Sequence, residues 1–288
     1  MSSPPPGEDD AAPARAIAPG PFAPFQFRDY RLLITGQSVY TLGRQMQAVA
    51  LTYQVYHLHE STLELGTLGL VRLIPALSFA MLGGVLADRV DRRRLLLLTQ
   101  PALLACALIL ALATRAGVAN LAVIYAIAAL SATISTVDDP AREALLPALV
   151  PREHLPNALS WDITLAKVAA IAGPALGGLA IAWVGIAGTY ALEACAFVVM
   201  IGAVFGLGAR LGAAAPDAPP GWRAAFEGFH FVRRNPLILG IMSLDLLANF
   251  WGSASILLPV LADRVFNLGP RGLGFLYSVE AARAVLGA

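Results

Sequence analysis

The chain has 288 residues, of which 57% are hydrophobic and 14% are charged, and its mean hydropathy is +0.67. Soluble domains carry about 25% charged residues, so this composition argues against a soluble domain and indicates a polytopic membrane protein. The net charge of +1 gives no reason to expect a nucleic-acid partner. Cys106 and Cys195, the two cysteines, lie in apolar runs, where we expect buried small residues rather than a disulfide or a metal site.

A proline-rich leader precedes the apolar segments. Residues 1–30 are predicted to form a disordered cytoplasmic tail, with aromatic and basic residues at 25–31 near the membrane interface. Six predicted spans follow, at about 32–56, 63–87, 95–114, 118–137, 157–184 and 189–207. We expect them to form a six-helix bundle over residues 31–208.

A second group of apolar segments follows a linker. Residues 209–235 are rich first in Ala, Pro and Gly and then in Arg, and we predict a cytoplasmic linker there. A seventh span is predicted at about 236–261, and an eighth begins near Gly272. Residues 236–288 are therefore expected to be the start of a second bundle, truncated within the eighth helix.

The basic residues predict the orientation of the chain. Turns on the side of the amino terminus hold thirteen arginines, whereas the opposite turns hold three, Arg115, Arg264 and Arg271. Short cytoplasmic loops carry the excess of Lys and Arg in membrane proteins. We therefore predict a multi-pass protein of the cell membrane (inner or plasma membrane) whose amino terminus lies in the cytoplasm.

The first span carries a polar face. At 100° per residue its polar side chains fall within about 140° of the helix circumference; they are Gln37, Tyr40, Thr41, Arg44, Gln47 and Gln54. A polar stripe on a spanning helix faces a bundle interior or a water-filled cavity, so we expect this face to point inward.

Charged residues inside the predicted spans are candidates for a solute or proton site. A charge at the bilayer centre costs roughly 2.5–3.5 kcal/mol on insertion scales, so such residues need partners. The cavity candidates are Gln37, Tyr40, Arg44, Arg72, Lys167, Asp245 and Asn249. Asp245 is the first choice for a proton or cation site, with a structural ion pair as the alternative. Lys167 is either a cavity residue or a side chain that extends to the cytoplasmic surface.

Two carboxylates end the fourth predicted span. Asp138 and Asp139 precede Pro140, and Ser131 and Ser135 share the helix face of Asp138. We expect the two aspartates to pair with Arg142 or with the arginines of 89–94, in a structural or gating role at the cytoplasmic end. The role of Glu193 in the sixth span is open.

Two motifs resemble a known family. Gly84-x-x-x-Asp88-Arg89-x-Asp91-Arg92-Arg93, between the second and third spans, resembles the signature loop of the major facilitator superfamily, although that family usually has Gly where this chain has Asp91. Gly173-Pro174-x-x-Gly177-Gly178 in the fifth span resembles the family's antiporter motif. Residues 83–89, 140–147 and 272–277 resemble the branch that includes siderophore and drug exporters.

This resemblance implies a fold and an activity. The fold is an all-α membrane protein of two six-helix halves, which rock about a site near the midplane. The activity is export of a small amphipathic solute of the drug or siderophore type, driven by protons. Gly84, Asp88, Arg89, Arg92 and Arg93 would form a gating loop, and Asp88 would latch to a helix of the second half. The glycine motif of the fifth span would serve export or only close packing.

Two alternative functions remain open, and an enzymatic function is not expected. A secondary importer and a truncated, non-transporting membrane fragment are the alternatives. The sequence contains no phosphate-binding loop, nucleophile–base pattern or metal-ligand spacing, so we expect no enzyme and no cofactor. The expected partners are the lipid bilayer, a small-molecule substrate and protons. Twelve helices would need roughly 110–130 residues beyond Ala288.

Overall fold

The fold of the described residues is helical. The computed structural model describes residues 20–208, 230–252, 272, 275–277 and 279, and the side chains of 80–89, 245–246 and 248–252 lie outside this description. The helices are α1 (Arg28–His59), α2 (Thr62–Arg89), α3 (Arg92–Arg115), α4 (Leu121–Glu143), α5 (Leu155–Gly206) and α6 (Pro236–Gly252). Short 3₁₀ helices occupy Ala23–Gln26, Leu146–Ala148 and Arg152–His154.

A break at Gly185 divides α5 into two limbs, 155–184 and 186–206. Gly185 has φ 75° and ψ 177°, a backbone conformation that residues with a Cβ rarely adopt. The Thr189 hydroxyl donates to the Gly185 carbonyl at 3.0 Å and so satisfies one polar group near the break. The two limbs correspond to the fifth and sixth predicted spans.

The fourth helix is longer than predicted. The sequence predicts its end at Asp138–Pro140, but α4 continues to Glu143. The predicted end was wrong because it rested on local signals alone, two adjacent carboxylates and a proline. Asp138 is instead fully buried among polar partners from neighbouring helices, so the helix carries it inside the bundle.

The outer surface fits a lipid environment. Four stretches of the described residues are long and apolar enough to cross a membrane: Thr62–Phe79, Arg92–Arg115, Leu121–Ala148 and Arg152–Gly206. Large apolar side chains point outward, and Leu63, Leu98 and Trp183 are 81%, 70% and 71% exposed. Monomeric soluble proteins rarely expose so much apolar surface.

Helix α1 lies between the two limbs of α5, and glycines make this close approach possible. A Cβ added at Gly43 would lie 2.8 Å from the Ala196 Cβ of the second limb. A Cβ added at Gly177 of the first limb would lie 3.0 Å from the Met46 Cα. One at Gly173 would overlap the Gln45 side chain. The glycines of the antiporter-like motif therefore let α5 pack closely on α1.

Two apolar clusters fill the bundle, and a polar layer separates them. The first cluster surrounds Leu33, Leu103 and Phe197, and the second surrounds Val55, Leu110 and Tyr190. Arg44 on α1, Ser131 on α4 and Glu193 on α5 lie between residues of the two clusters along their helices. Ser135 on α4, which is hydrogen-bonded to Arg44, and Arg72 on α2 lie beside them. Hydrocarbon-like packing therefore gives way to a polar layer at mid-height.

Residues 20–30 pack against the start of α5, so this part of the predicted disordered tail of residues 1–30 is ordered. The Trp161 indole N–H donates to the Pro21 carbonyl at 2.8 Å, and the rings of Phe22 and Phe25 each lie 5.3 Å from the Trp161 ring. The Tyr30 hydroxyl donates to the Ala158 carbonyl at 3.2 Å. The aromatic residues predicted as an interfacial anchor pack largely against the start of α5.

Candidate functional site

The polar face of α1 points into the bundle, as predicted. Gln37, Tyr40, Gln47 and Gln54 are all buried. Gln54 donates to the Thr114 hydroxyl at 3.0 Å and accepts from the Tyr190 hydroxyl at 2.7 Å. Buried amides need such partners, because an unpaired polar group in an apolar interior costs several kcal/mol.

One of these residues lies away from the predicted cavity. The Gln37 amide donates to Asp162 Oδ1 at 2.7 Å, which links α1 to the first limb of α5. Gln37 therefore ties two helices together. Lys167, five residues after Asp162, has an exposed side chain.

Asp138 is the centre of a buried polar cluster, defined here as Tyr40, Thr99, Gln100, Asp138, Asp139 and Arg142. Its carboxylate accepts from the Thr99 hydroxyl at 2.5 Å and from the Gln100 amide at 2.9 and 3.0 Å. The Tyr40 hydroxyl donates to it at 3.5 Å. Three helices, α1, α3 and α4, thus supply partners for one carboxylate that is 0% exposed.

Arg142 supplies the positive charge of the cluster from one turn further along α4. Its Nε lies 3.6 Å from Asp138 Oδ2, and its Nη2 forms an ion pair with Asp139. The guanidinium also lies 4.4 Å from the centre of the Tyr40 ring, within cation–π range. Of the two predicted pairings, the structure therefore shows Arg142 as the partner of both aspartates.

A cavity of about 470 Å³ opens beside this cluster, in the polar layer. We call it the arginine cavity, because Arg44 from α1 and Arg72 from α2 are its two cationic residues. Nine of the described residues line it: Arg44, Gly69, Arg72, Leu73, Ala76, Ala132, Ser135, Thr136 and Asp139. Its volume falls in the range of ligand pockets, and its lining mixes apolar and polar side chains.

Glu193 is a buried carboxyl whose role the sequence leaves open. It is 1% exposed, and neither carboxyl oxygen has a hydrogen-bond partner within the described part of the chain. It packs beside Gly43 of α1, since a Cβ added there would lie 3.8 Å from Glu193 Cγ, an ordinary van der Waals distance. Arg44 and Arg72 act on it electrostatically but form no ion pair with it within 4 Å. The sequence signal that could have identified Glu193 is a carboxyl group inside an apolar segment.

The signature loop is a two-residue turn, and its arginines contact the ends of other helices. Asp91 Oδ1 accepts from the Arg94 backbone N–H at 3.0 Å, so this residue, where the family usually has Gly, caps α3. Arg92 donates to the Ala144 carbonyl at 2.9 Å. Arg93 donates to the carbonyls of Val204 and Phe205 at 3.1 and 2.9 Å. Cations at these carboxyl-terminal ends complement the helix dipoles.

Several predicted site residues lie outside the described side chains. Gly84, Asp88 and Arg89 fall in the last turns of α2, and Asp245 and Asn249 fall in α6. The backbone is helical at all five positions. Gly178 is buried in α5 beside Gly177. Among the described residues, no three His, Cys, Asp or Glu side chains gather into a potential metal site.

Known proteins resemble this chain over most of its length. The profile of the transmembrane secretion effector family matches residues 19–288. The enterobactin exporters EntS of Shigella boydii serotype 18 (strain CDC 3083-94 / BS512) and of Escherichia coli O1:K1 and O139:H28 are each 29% identical to it over 253 residues.

These matches cover 87% of the chain and 59% of each relative, so the chain spans about three-fifths of the length of the curated relatives it matches. The match of the family profile covers the polar cluster, the arginine cavity, the signature loop and the glycine motif. The chain therefore belongs to the transmembrane secretion effector family of the major facilitator superfamily, whose members are multi-pass membrane transporters.

Proposed function

We propose that this chain belongs to a transporter that exports a small amphipathic solute by alternating access, driven by the proton gradient. The arginine cavity carries the proposal, because it places two cationic side chains and an apolar wall at mid-height between α1, α2 and α4. Solute sites in such transporters lie near the midplane of the bilayer. The names of the relatives, which are enterobactin exporters, favour export over import.

The proposed domain plan has a first half at 31–208, a cytoplasmic linker at 209–235 and the start of a second half at 236–288. A site at the interface of two halves needs residues from both of them. Asp245 and Asn249 of α6 are the proposed contribution of the second half, with Asp245 as the candidate for proton coupling.

The proposed gate lies at the cytoplasmic end. The polar cluster fixes α1, α3 and α4 to one another, while Arg92 and Arg93 fasten the signature loop to the ends of α4 and α5. These contacts make the first half a unit that can move as one body. Asp88 would then form and break its contact with the second half during the cycle.

Transport can be tested with enterobactin, the solute after which the related exporters are named. The reading frame is first sequenced past Ala288, and both the complete product and the 288-residue chain are placed in inside-out vesicles. We expect the product of the complete frame to accumulate enterobactin only under an imposed pH gradient. Asp88→Asn should insert normally and accumulate less. Uptake into whole cells would instead indicate an importer.

Orientation has its own test. Both native cysteines are replaced by Ser, and single cysteines are introduced as Arg94→Cys or Gly117→Cys. A membrane-impermeant thiol reagent applied to whole cells should label the Gly117→Cys variant and spare the Arg94→Cys variant, because the arginine-rich loop is proposed to face the cytoplasm. The opposite labelling would reverse the proposed orientation.

A further inference from the structure

The two arginines of the arginine cavity have more hydrogen-bond donors than the bundle uses. A guanidinium presents five N–H donors and no acceptor. Arg44 donates to the Ser135 hydroxyl at 3.0 Å, which is its one hydrogen bond to the described residues. Arg72 makes no hydrogen bond and no ion pair with any residue that the structure describes. Both guanidiniums line the cavity and leave donors for a ligand.

The nearby carboxylates do not occupy these donors. Asp139 lines the same cavity, but its ion pair is with Arg142. Asp138 takes its hydrogen bonds from Thr99 and Gln100. Glu193 is not among the residues that line the cavity, and it acts on both arginines only from beyond the 4 Å of an ion pair. Arg72 therefore has no direct ion-pair partner in the described part of the chain, and a charge inside a membrane protein is costly without one.

The rest of the cavity wall suits a ligand that is apolar as well as charged. Leu73, Ala76 and Ala132 supply apolar surface next to the guanidiniums. Arg pairs with planar or tetrahedral oxyanions through two parallel N–H···O bonds, which gives geometric selectivity as well as energy.

We propose that the arginine cavity binds an anionic group of the transported solute, a carboxylate, sulfonate or similar oxyanion attached to an apolar body. Arg72 is the principal ligand. Arg44, held by Ser135, is the second. This inference rests on the proposed function, since it names the chemical class of the solute for the same cavity. The phosphate of an anionic lipid offers the same chemistry, and the test distinguishes the two sources.

Binding is measured at equilibrium with the product of the complete reading frame in nanodiscs of neutral phosphatidylcholine. The probe is radiolabelled naphthalene-2-sulfonate, which stays anionic at all working pH values. Its matched neutral control is naphthalene-2-sulfonamide. We expect the sulfonate to bind more tightly than the sulfonamide, because only the sulfonate supplies the charge that the arginines lack.

The variants assign this preference to the cavity. Arg72→Gln should weaken sulfonate binding by about tenfold or more, the effect of losing one charge-assisted hydrogen bond, and should leave sulfonamide binding unchanged. Arg72→Lys keeps the charge without the planar fork and should bind with intermediate affinity. Arg115→Gln removes an exposed arginine at the far end of α3 and should bind like the parent chain. Size-exclusion profiles show whether each variant is folded.

Three results would overturn the proposal. The first is equal affinity for sulfonate and sulfonamide, and the second is unchanged sulfonate binding by folded Arg72→Gln and Arg72→Lys. The third is loss of sulfonate binding in discs that contain phosphatidylglycerol, which would assign the cavity to lipid phosphate. Because the assay needs no transport, sulfonate binding without solute movement would contradict only the proposed transport. Solute movement without charge preference would contradict only this inference.

Discussion

The polar cluster and the arginine cavity are neighbouring regions that differ in whether their charged side chains have hydrogen-bond and ion-pair partners. In the cluster, Asp138 is completely buried and accepts hydrogen bonds from two helices besides its own, while Arg142 balances it. In the polar layer around the cavity, Arg72 and Glu193 have no hydrogen bond to a described residue. Both regions lie in an apolar bundle, so the difference reflects the partners that surrounding helices supply.

This difference distinguishes charges that stabilise the fold from charges that are available to bind a ligand. A buried charge whose partners are all present holds helices in one arrangement, and removing one partner leaves the other uncompensated. A charge without partners adds little to the stability of the fold and leaves its hydrogen-bond donors available, and solute binding is the use proposed for them above. The following variants test this distinction, or the packing of the helix that carries both regions. Each is compared with the parent chain by its free energy of unfolding without ligand.

The largest effect is expected at the centre of the cluster. Asp138→Ala leaves Arg142 buried and the donors of Thr99 and Gln100 unpaired, so we expect a loss of about 3–5 kcal/mol in the free energy of unfolding. Denaturation by SDS in mixed micelles measures this loss. Asp139→Ala is the matched control, because its side chain is 47% exposed and its pair should contribute less than about 1 kcal/mol. Equal losses in the two variants would contradict the central role of Asp138.

The helix that carries both regions is tested next. Gly43→Ala places a methyl group against Ala196, which has no flexible end to move, so we expect a loss of about 1–3 kcal/mol. Gly202→Ala is the control, since an added Cβ meets nothing within 4 Å there and alanine favours the helix by up to about 1 kcal/mol. A Gly43→Ala protein as stable as the parent would show that α1 and α5 are less tightly packed than the structure indicates.

Glu193 should behave in the opposite way from Asp138. Glu193→Met replaces an unbonded buried carboxyl by an apolar side chain of similar size, and we expect the free energy of unfolding to stay the same or rise by about 0–2 kcal/mol. Thermal unfolding in detergent measures the change. A loss larger than about 2 kcal/mol would mean that the carboxylate acts as a counter-ion for Arg44 and Arg72 despite its distance.

The smallest effect on stability is expected at Arg72, whose side chain has no hydrogen bond to a described residue. Arg72→Gln removes no hydrogen bond to any described residue, so we expect the ligand-free stability to change by less than about 0.5 kcal/mol. The same SDS titration applies, with Arg142→Gln as the contrasting variant, since that substitution breaks the paired charges of the cluster. Strong destabilisation by Arg72→Gln alone would show that Arg72 already has a structural partner.

The helices of the first half were predictable because each leaves a local signal. Every one of the six apolar segments predicted between residues 31 and 208 is helical, and the polar face of α1 is buried as its spacing indicated. The end of α4 was predicted wrongly. Two carboxylates followed by a proline are a local signal for the end of a helix. In the structure, hydrogen-bond donors on α3 hold Asp138 inside the bundle, so the helix continues.

The candidate site was predictable only in part. The sequence singled out Arg44 and Arg72 as charges inside predicted spans, and Asp138 and Arg142 as a pairing at the cytoplasmic end of the fourth span. The structure places the first two in a cavity and the other two in a cluster. Gln37 fell on the same helix face as Arg44 but is bonded to Asp162 on α5. Helical spacing shows which residues share a face, but it does not show which neighbour each residue meets.

The sequence by itself determined the membrane character, the helical segments, the arginine bias of the turns and the family motifs, because hydropathy and spacing are local properties of the chain. The tertiary structure decided which charges are satisfied. Asp138 accepts hydrogen bonds from Gln100, 38 residues away, and from Tyr40, 98 residues away, while the Arg72 guanidinium donates none to the described residues. Pairing depends on helices that are distant in sequence and adjacent in space, so only their packing separates a structural charge from one available to a ligand.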